Sequence, residues 1–379
     1  MNELIATPAP LAPDVSAVRF SGVRRDFRRL ITRGALLELV TLGFYRFWLA
    51  TDMRRHLWSH TEIGGDTAEY TGTAKELLIG FLFALAILIP IYLIYFFVTL
   101  EAERWQAFAS VPLLLFFYLF TQFAIYRARR YRLTRTVWRG VRFWMAGSGW
   151  KYAARAFAWS LLVGITVGLA LPWQRASLER YKMAHTFYGD LPGRFSGTGA
   201  EFFKRGWWLW LLMWPSVFLV IPLPFVYGIY KAVEWRWWIS GLQFGGVSAD
   251  CKLDVAALID VYWKVVGWTA LLFVVLAICA TGLITLAIVL AGVSVATEQQ
   301  LAAALQHPAI LAAVGVSYLV SALAAGVVFR LYLTHDVWER IVNTTSVHNL
   351  AAADNVASRG DVASALGEGL ADSLDVGGL

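Results

Sequence analysis

Residues 41–76 read TLGFYRFWLATDMRRHLWSHTEIGGDTAEYTGTAKE, and residues 166–201 read TVGLALPWQRASLERYKMAHTFYGDLPGRFSGTGAE. The two stretches align without a gap. Thr41, Gly43, Trp48, Arg55, His60, Thr61, Gly64, Gly72, Thr73 and Glu76 recur as Thr166, Gly168, Trp173, Arg180, His185, Thr186, Gly189, Gly197, Thr198 and Glu201. Apolar matches between two membrane-like segments arise from composition alone, but these matches are mostly polar. The chain is therefore built from a repeated unit.

Weaker copies follow once the unit is known. Arg54, Arg55, Thr61, Gly65, Gly72 and Thr73 correspond to Arg129, Arg130, Thr136, Gly140, Gly147 and Ser148, while Arg55, Ser59, Gly64 and Gly65 correspond to Arg236, Ser240, Gly245 and Gly246. A last, degenerate copy lies around Trp338–Arg340 and Thr344–Thr345. Together the copies cover roughly residues 40 to 346.

Of the 379 residues, 58% are hydrophobic and 16% charged, too apolar for an ordinary soluble domain. A full crossing of a bilayer needs about 20 mainly apolar residues. Leu77–Leu100, Ala107–Tyr126, Val265–Val295 and Pro308–Phe329 meet that requirement. Ala156–Trp173 and Trp207–Tyr230 are long enough, but Pro172 ends the first and Pro215, Pro222 and Pro224 interrupt the second. Ala35–Leu49 is short, carries Glu38 and Arg46, and is not read as a span. The first residues contain Pro8, Pro10, Pro13 and a basic run without an apolar core, so no secretory signal is expected. Cys251 and Cys279 read as packing residues.

Lysine and arginine mark the cytoplasmic side of a membrane protein. Glu101–Gln106 contains one Arg and Ala296–His307 contains neither Lys nor Arg, whereas Arg127–Arg142 alone holds seven Arg. All motif copies, and the C-terminal tail, are accordingly expected in the cytoplasm. Because the His60 and His185 copies are ungapped equivalents, the proline-marked segments are expected to be broken or re-entrant, with a conventional six-span path as the alternative. The resulting expectation is an all-α integral membrane protein, a multi-pass helical bundle of internal repeats with short cytoplasmic β-like loops. Its expected organisation is a flexible segment over 1–16, a repeat-built transmembrane domain over 17–346, and a disordered acidic tail over 347–379.

Each good copy begins at the end of an apolar segment and breaks at Gly43 or Gly168. A short amphipathic helix, a polar glycine-punctuated stretch and a new capped helix follow. Thr61–Thr71 shows no helical stripe and reads as short strands or a tight hairpin, partnered by the other copies of itself. Thr73-x-x-Glu76 and Thr198-x-x-Glu201 fit the capping box, in which hydroxyl and carboxylate satisfy orphan N–H groups at a helix start. Phe20-Ser21-Gly22, with Asp26 four residues on from the glycine, repeats Tyr70-Thr71-Gly72 with Glu76.

Phe20-Ser21-Gly22, Thr41-Leu42-Gly43-Phe44-Tyr45 with Trp48, the Arg54-Arg55 pair, His60-Thr61 and Tyr70-Thr71-Gly72 together resemble the bacterial inner-membrane proteins typified by YjgN, a family of unknown function. The resemblance runs from about residue 20 to 346. Members often carry Pro before the Trp; Phe47 replaces it in the first copy, while Pro172-Trp173 keeps it in the second. Membrane location and fold are implied by the resemblance, but no activity, cofactor or site residue.

The repeated arginines supply the candidate site. Arg55, Arg130 and Arg180, with His60 and His185, are placed to meet lipid phosphate at the membrane surface, where guanidinium pairs well with phosphate oxygens. The Arg127–Arg142 cluster would also serve simply to fix topology. Nucleic acid is not expected as a partner, since the net charge of +7 is accounted for by the inner leaflet. Asp52, His56 and His60 share a helix face at ligand spacing, but Ser177 and Tyr181 replace the first two in the ungapped copy, so no metal and no cofactor is expected. No catalytic constellation stands out, and Leu77–Leu100 and Val265–Val295 contain no charged residue, which disfavours an ion-driven pump. The expected function is to bind or move a lipid or other amphiphile, anionic by the charge of the site, at the cytoplasmic face. A membrane scaffold organising partners is the alternative reading, and an intramembrane enzyme a third.

Overall fold

The computed structural model describes residues 15–101, 106–219, 222–290 and 308–364. Each repeated unit consists of an incoming helix, a hairpin of two short strands, and an outgoing helix. In the first, α2 (Arg46–Ser59) leads into β2 (Thr61–Ile63) and β3 (Asp66–Tyr70), followed by α3 (Ala74–Glu101). In the second, α4 (Gln106–Thr134) leads into β4 (Thr136–Trp138) and β5 (Val141–Met145), then α5 (Gly149–Ile165). In the third, α6 (Leu171–Ala184) leads into β6 (Thr186–Tyr188) and β7 (Leu191–Phe195), then α7 (Gly199–Leu219). In the fourth, α8 (Leu223–Ser240) leads into β8 (Leu242–Phe244) and β9 (Val247–Cys251), then a 3-10 turn at Val255–Leu258 and α9 (Ile259–Leu290).

The fifth unit is assembled from the two ends of the chain. Its incoming helix runs through α10 (Pro308–Phe329), a π-helical stretch (Arg330–Asp336) and α11 (Val337–Asn343) into β10 (Thr345–His348). Its second strand is β1 (Val15–Phe20), from which α1 (Arg24–Val40) departs. Ser16 pairs with Val347 and Val18 with Ile63, so β1 joins the fifth unit to the first. The ten strands thereby close into one antiparallel barrel in the order β1-β10-β9-β8-β7-β6-β5-β4-β3-β2.

This barrel overturns the expected all-α class. Strands of three and five residues are too short to bury anything alone, and each leaves a row of unpaired backbone groups that only another strand can satisfy. Closure removes every edge. The same backbone hydrogen bond seals all five junctions: Ser21 N to His60 O (2.9 Å), Thr71 N to Arg135 O (2.8 Å), Ala146 N to His185 O (2.8 Å), Ser196 N to Gly241 O (2.9 Å) and Lys252 N to Thr344 O (2.9 Å).

The helices form a palisade on one side of the barrel. Each packs on the next from α1 through α9 to α10, and α10 returns to α1. Among the described residues, four helices are long and apolar enough to cross a membrane: Ala74–Val98, Val111–Thr134, Val255–Leu290 and Pro308–Asn343. Between α1 and α2 the chain turns at 41–45, and between α5 and α6 at 166–170, the two breaks expected from Gly43 and Gly168. Pro172 opens α6 and Pro224 opens α8, positions where a missing N–H costs nothing. Pro215 does not interrupt its segment, because α7 continues through it.

An apolar cluster at the tip of the barrel draws on every unit: Ile63, Trp138, Tyr188, Phe244 and Val347. Leu350 and Ala353, on a 3-10 turn after β10, complete it. Arg139 reaches both Asp66 (2.5 Å) and Asp354 (2.7 Å), and Ala363 N donates to Thr134 Oγ1 (3.3 Å). The segment expected to be a disordered tail from 347 is thus a strand and a plug as far as Ser364. It is held because Leu350 and Val356 bury apolar surface that an acidic composition conceals. Of the expected flexible segment 1–16, Val15 and Ser16 belong to β1. Residues 1–14 and 365–379 lie outside the described residues.

Candidate functional site

The repeated polar residues mostly build the junctions. Thr61 Oγ1 donates to Leu57 O (2.7 Å), Thr136 to Arg132 O (3.0 Å), Thr186 to Lys182 O (2.8 Å) and Thr345 to Ile341 O (2.7 Å), each closing the last turn of an incoming helix. His60 and His185 do the same one residue earlier. Their Nδ1 atoms lie 2.7 Å from the carbonyls of His56 and Tyr181. These contacts satisfy carbonyls that a helix end leaves without partners.

The capping boxes hold the outgoing helices. Thr73 N donates to Glu76 Oε2 (3.4 Å) and Glu76 N to Thr73 Oγ1 (3.4 Å), while Glu201 N donates to Thr198 Oγ1 (3.2 Å). Glu76 has a further role, because Tyr131 Oη (2.9 Å) and Arg135 Nη2 (2.7 Å) of the next unit donate to it. Ser148 caps α5 in the same way, accepting from Lys151 N.

Arg55, Arg130 and Arg180 do not converge. They occupy one position on the incoming helices of three different units, spread around the ring. Arg55 Nη2 donates to Gly72 O (2.9 Å), Arg180 is exposed and its Nε donates to Ala176 O (3.3 Å), and Arg130 is half-buried with its Nε unpaired. The fourth member of the set, Arg236, lines a cleft. Arg205, Val233, Arg236 and Val255 line a space of about 360 Å³ between α7, α8 and the turn that precedes α9. That volume falls within the range of small-ligand sites.

The chemistry of the cleft is amphiphilic. Val233 is buried, and Arg236 is half-buried with no hydrogen-bond or ion-pair partner among the described residues. Arg205 pairs with Glu201 one turn back on α7, and both side chains are solvent-accessible. Trp207 and Trp208, exposed one step farther along α7, have the amphipathic character of residues at headgroup depth. Two guanidiniums beside apolar walls can bind one anionic group with an attached chain. The sequence contained part of this signal, since Arg236 stands at the repeat position. Arg205 is outside the motif and is brought there by packing.

Two other charged clusters are structural in geometry. Glu179 receives Arg129 Nη1 (3.1 Å) and the Lys182 ammonium, and Glu234 receives Lys231 Nζ (2.7 Å). Burial opposes ionisation of Glu179, but Lys182 and Arg129 outweigh it and hold the carboxyl at about 2. Burial draws the Lys182 ammonium down to about 8 against the pull of Glu179. His335, Asp336 and Glu339 place ligand atoms within 4.8 Å of one another, yet both Asp336 oxygens are occupied by Arg24 at 2.8 and 2.9 Å. That guanidinium stands where a cation's charge would fall. His56 is pushed down to about 4, by burial first and then by His60 and His335, and Asp26 opposes this only in part. His56 is therefore neutral at physiological pH, with its Nε2 buried and unpaired.

Comparison with curated proteins and with solved structures finds no match to either. A family model described as "Bacterial protein of unknown function (DUF898)" matches residues 15–373, from β1 through all five units. The chain belongs to that family, the one to which Thr41-Leu42-Gly43-Phe44-Tyr45 and the Tyr70-Thr71-Gly72 motif point.

Proposed function

We propose that this protein is a multi-pass protein of the bacterial inner membrane that binds an anionic amphiphile, such as a phospholipid, in the cleft between α7 and α8. The barrel then faces the cytoplasm. The observation that carries the reading is Arg236, a half-buried guanidinium without a partner among the described residues, lining with Arg205 a cleft walled by Val233 and Val255. A guanidinium set against apolar walls loses part of its hydration, and a bound phosphate would restore paired hydrogen bonds to it. The orientation is supported by the Lys and Arg residues, which gather at the barrel end of the helices and are nearly absent from the sequence joining the long ones. Arg55, Arg130 and Arg180, at the same level of their own helices, meet headgroups of the surrounding lipid.

The test is native mass spectrometry of the full chain from nanodiscs of phosphatidylglycerol or of phosphatidylcholine. Phosphatidylglycerol should be retained, and the paired change Arg205→Gln with Arg236→Gln should release it. Arg55→Gln with Arg180→Gln should retain it. Unchanged retention in the Arg205/Arg236 variant would overturn the cleft, and equal loss from both variants would mean that general surface charge is sensed.

A further inference from the structure

We propose that the membrane part of this protein is a wedge, broad in the leaflet beside the barrel and narrow in the far leaflet, and that it therefore partitions to curved membrane. The inference rests on the membrane placement proposed above but not on the cleft.

The argument begins with helix lengths measured from a common origin. All helices start or end at the barrel, so each residue count converts to a reach at about 1.5 Å per residue. Helices α3 and α4 have 28 and 29 residues, so they reach about 42 Å. Helix α9 has 32 residues and the continuous helix Pro308–Asn343 has 36, or about 50 Å. Helices α1 and α5 have 17 residues each and α2 and α6 have 14 each, reaching only about 20–25 Å. Helix α7, with 21 residues, is intermediate at about 30 Å.

The short hairpins are not short because they stay in water. On α1 the exposed charges end at Arg33, and on α5 at Arg155. Beyond those points come exposed Leu36, Val40, Leu42 and Phe44 on one hairpin, and exposed Leu161, Ile165, Val167 and Leu169 on the other. Two charges lie among them: Glu38 is buried against Arg330, at 2.9 and 3.0 Å, and half-buried Arg46 is laid over the rings of Phe47 and Phe81, at 4.9 and 4.5 Å. The apolar remainder extends about 10–15 Å, which is one leaflet of a hydrocarbon core of about 30 Å.

Backbone conformation at the tips points the same way independently. Leu42 (φ 51°) and Val167 (φ 50°) occupy the left-handed region, each followed by a glycine that does too. In water that site suits Asn or Gly, and a β-branched residue there is strained. Yet the side chains are apolar and 81% and 65% exposed, respectively. Both the strain and the exposure are offset if the tip is surrounded by acyl chains.

The consequence is asymmetric area. The leaflet beside the barrel accommodates all five helical hairpins, whereas the far leaflet takes the two long ones in full and the α7–α8 hairpin only in part. Inserting extra cross-section into one leaflet favours bending convex toward the barrel, the effect by which interfacial helices respond to curvature.

To test this, the full chain would be reconstituted into phosphatidylcholine vesicles, either small and sonicated or large and extruded. With no anionic lipid present, the outcome is independent of the cleft. The expected result is a several-fold higher protein-to-lipid ratio in the small vesicles, with the barrel outward as read by protease access. A variant carrying Leu42→Asn, Phe44→Gln, Val167→Asn and Leu169→Gln should fold, since Asn accepts the left-handed turn, and should lose the preference. Equal density in small and large vesicles would overturn the wedge alone, as would an unchanged preference in the tip variant. Failure to enter either vesicle would overturn the membrane placement with it.

Discussion

The four continuous units and the fifth, split one make the same barrel from different resources. At every junction the sealing backbone hydrogen bond is 2.8–2.9 Å, so local geometry does not distinguish them. The difference lies in what sets register. In the continuous units a two-residue turn fixes which residue faces which, as at Gly64-Gly65, where both residues have positive φ and Ile63 pairs with Asp66. The split unit has no turn between β10 and β1. Its alignment instead rests on side chains far apart in sequence: Asn343 Oδ1 accepts from Phe20 N (2.8 Å), Arg24 grips Asp336, and Arg330 grips Glu38. Where the covalent chain cannot impose register, bidentate ion pairs do. Closure of the ring thus depends on both chain ends, and the C-terminal plug adds Leu350 and Ala353 to the tip that all units share.

The largest effect expected from this comparison follows from removing the seam. A chain ending at Asn343 loses β10 and the plug, exposing the edges of β1 and β9. It should fail to form a cooperative barrel, as read by loss of a single thermal transition in detergent. A chain that melts like the intact protein would show that four units suffice.

Next in size is Glu38→Gln, which leaves Arg330 beside an uncharged partner at a site where Glu38 is 4% exposed. Breaking a buried pair on one side costs about 3–5 kcal/mol. Glu201→Gln removes an exposed pair with Arg205 inside a continuous unit, where about 0–1 kcal/mol is expected. Denaturation of the two variants side by side would measure this contrast. Similar losses would mean that the seam has no special dependence on its ion pairs.

The smallest effect separates turns from plug. Gly140 and Gly189 both have positive φ, but a Cβ on Gly140 meets nothing within 4 Å, whereas one on Gly189 would come within 2.5 Å of Ala357 O. Gly140→Ala should cost about 1 kcal/mol from backbone conformation alone. Gly189→Ala should cost more, and most of the excess should vanish when residues 350–379 are deleted, leaving only the approach to Val141 Cγ1 at 2.9 Å. An excess that survives deletion undiminished would place the strain within the barrel and not against the C-terminal segment.

Much of the unit was legible. Thr73-x-x-Glu76 and Thr198-x-x-Glu201 announce helix starts because capping is local, needing only residues three apart. The breaks at Gly43 and Gly168 were equally readable, since a left-handed glycine acts on its own backbone. The site was less so. Arg55, Arg130 and Arg180 recur in register, and recurrence suggested one shared site, but copies arranged around a closed ring face different neighbours. Arg205 had no sequence signal, because its nearness to Arg236 comes from the packing of α7 on α8.

By itself the sequence determined the repeat, the four long apolar helices, and the positions where each unit breaks and restarts. These are properties of residues a few positions apart, or of composition over a single helix. Only the tertiary structure decided that the hairpins form a barrel in place of an all-α bundle, that the N-terminal Phe20-Ser21-Gly22 completes the degenerate copy at Thr345, and that the acidic tail is a plug. Each of these depends on pairing between segments dozens to hundreds of residues apart. A strand of three residues carries too little side-chain pattern to name its partner, and what selects it is the requirement that every backbone N–H and C=O at the rim be satisfied at once, which is met only when the ring is complete.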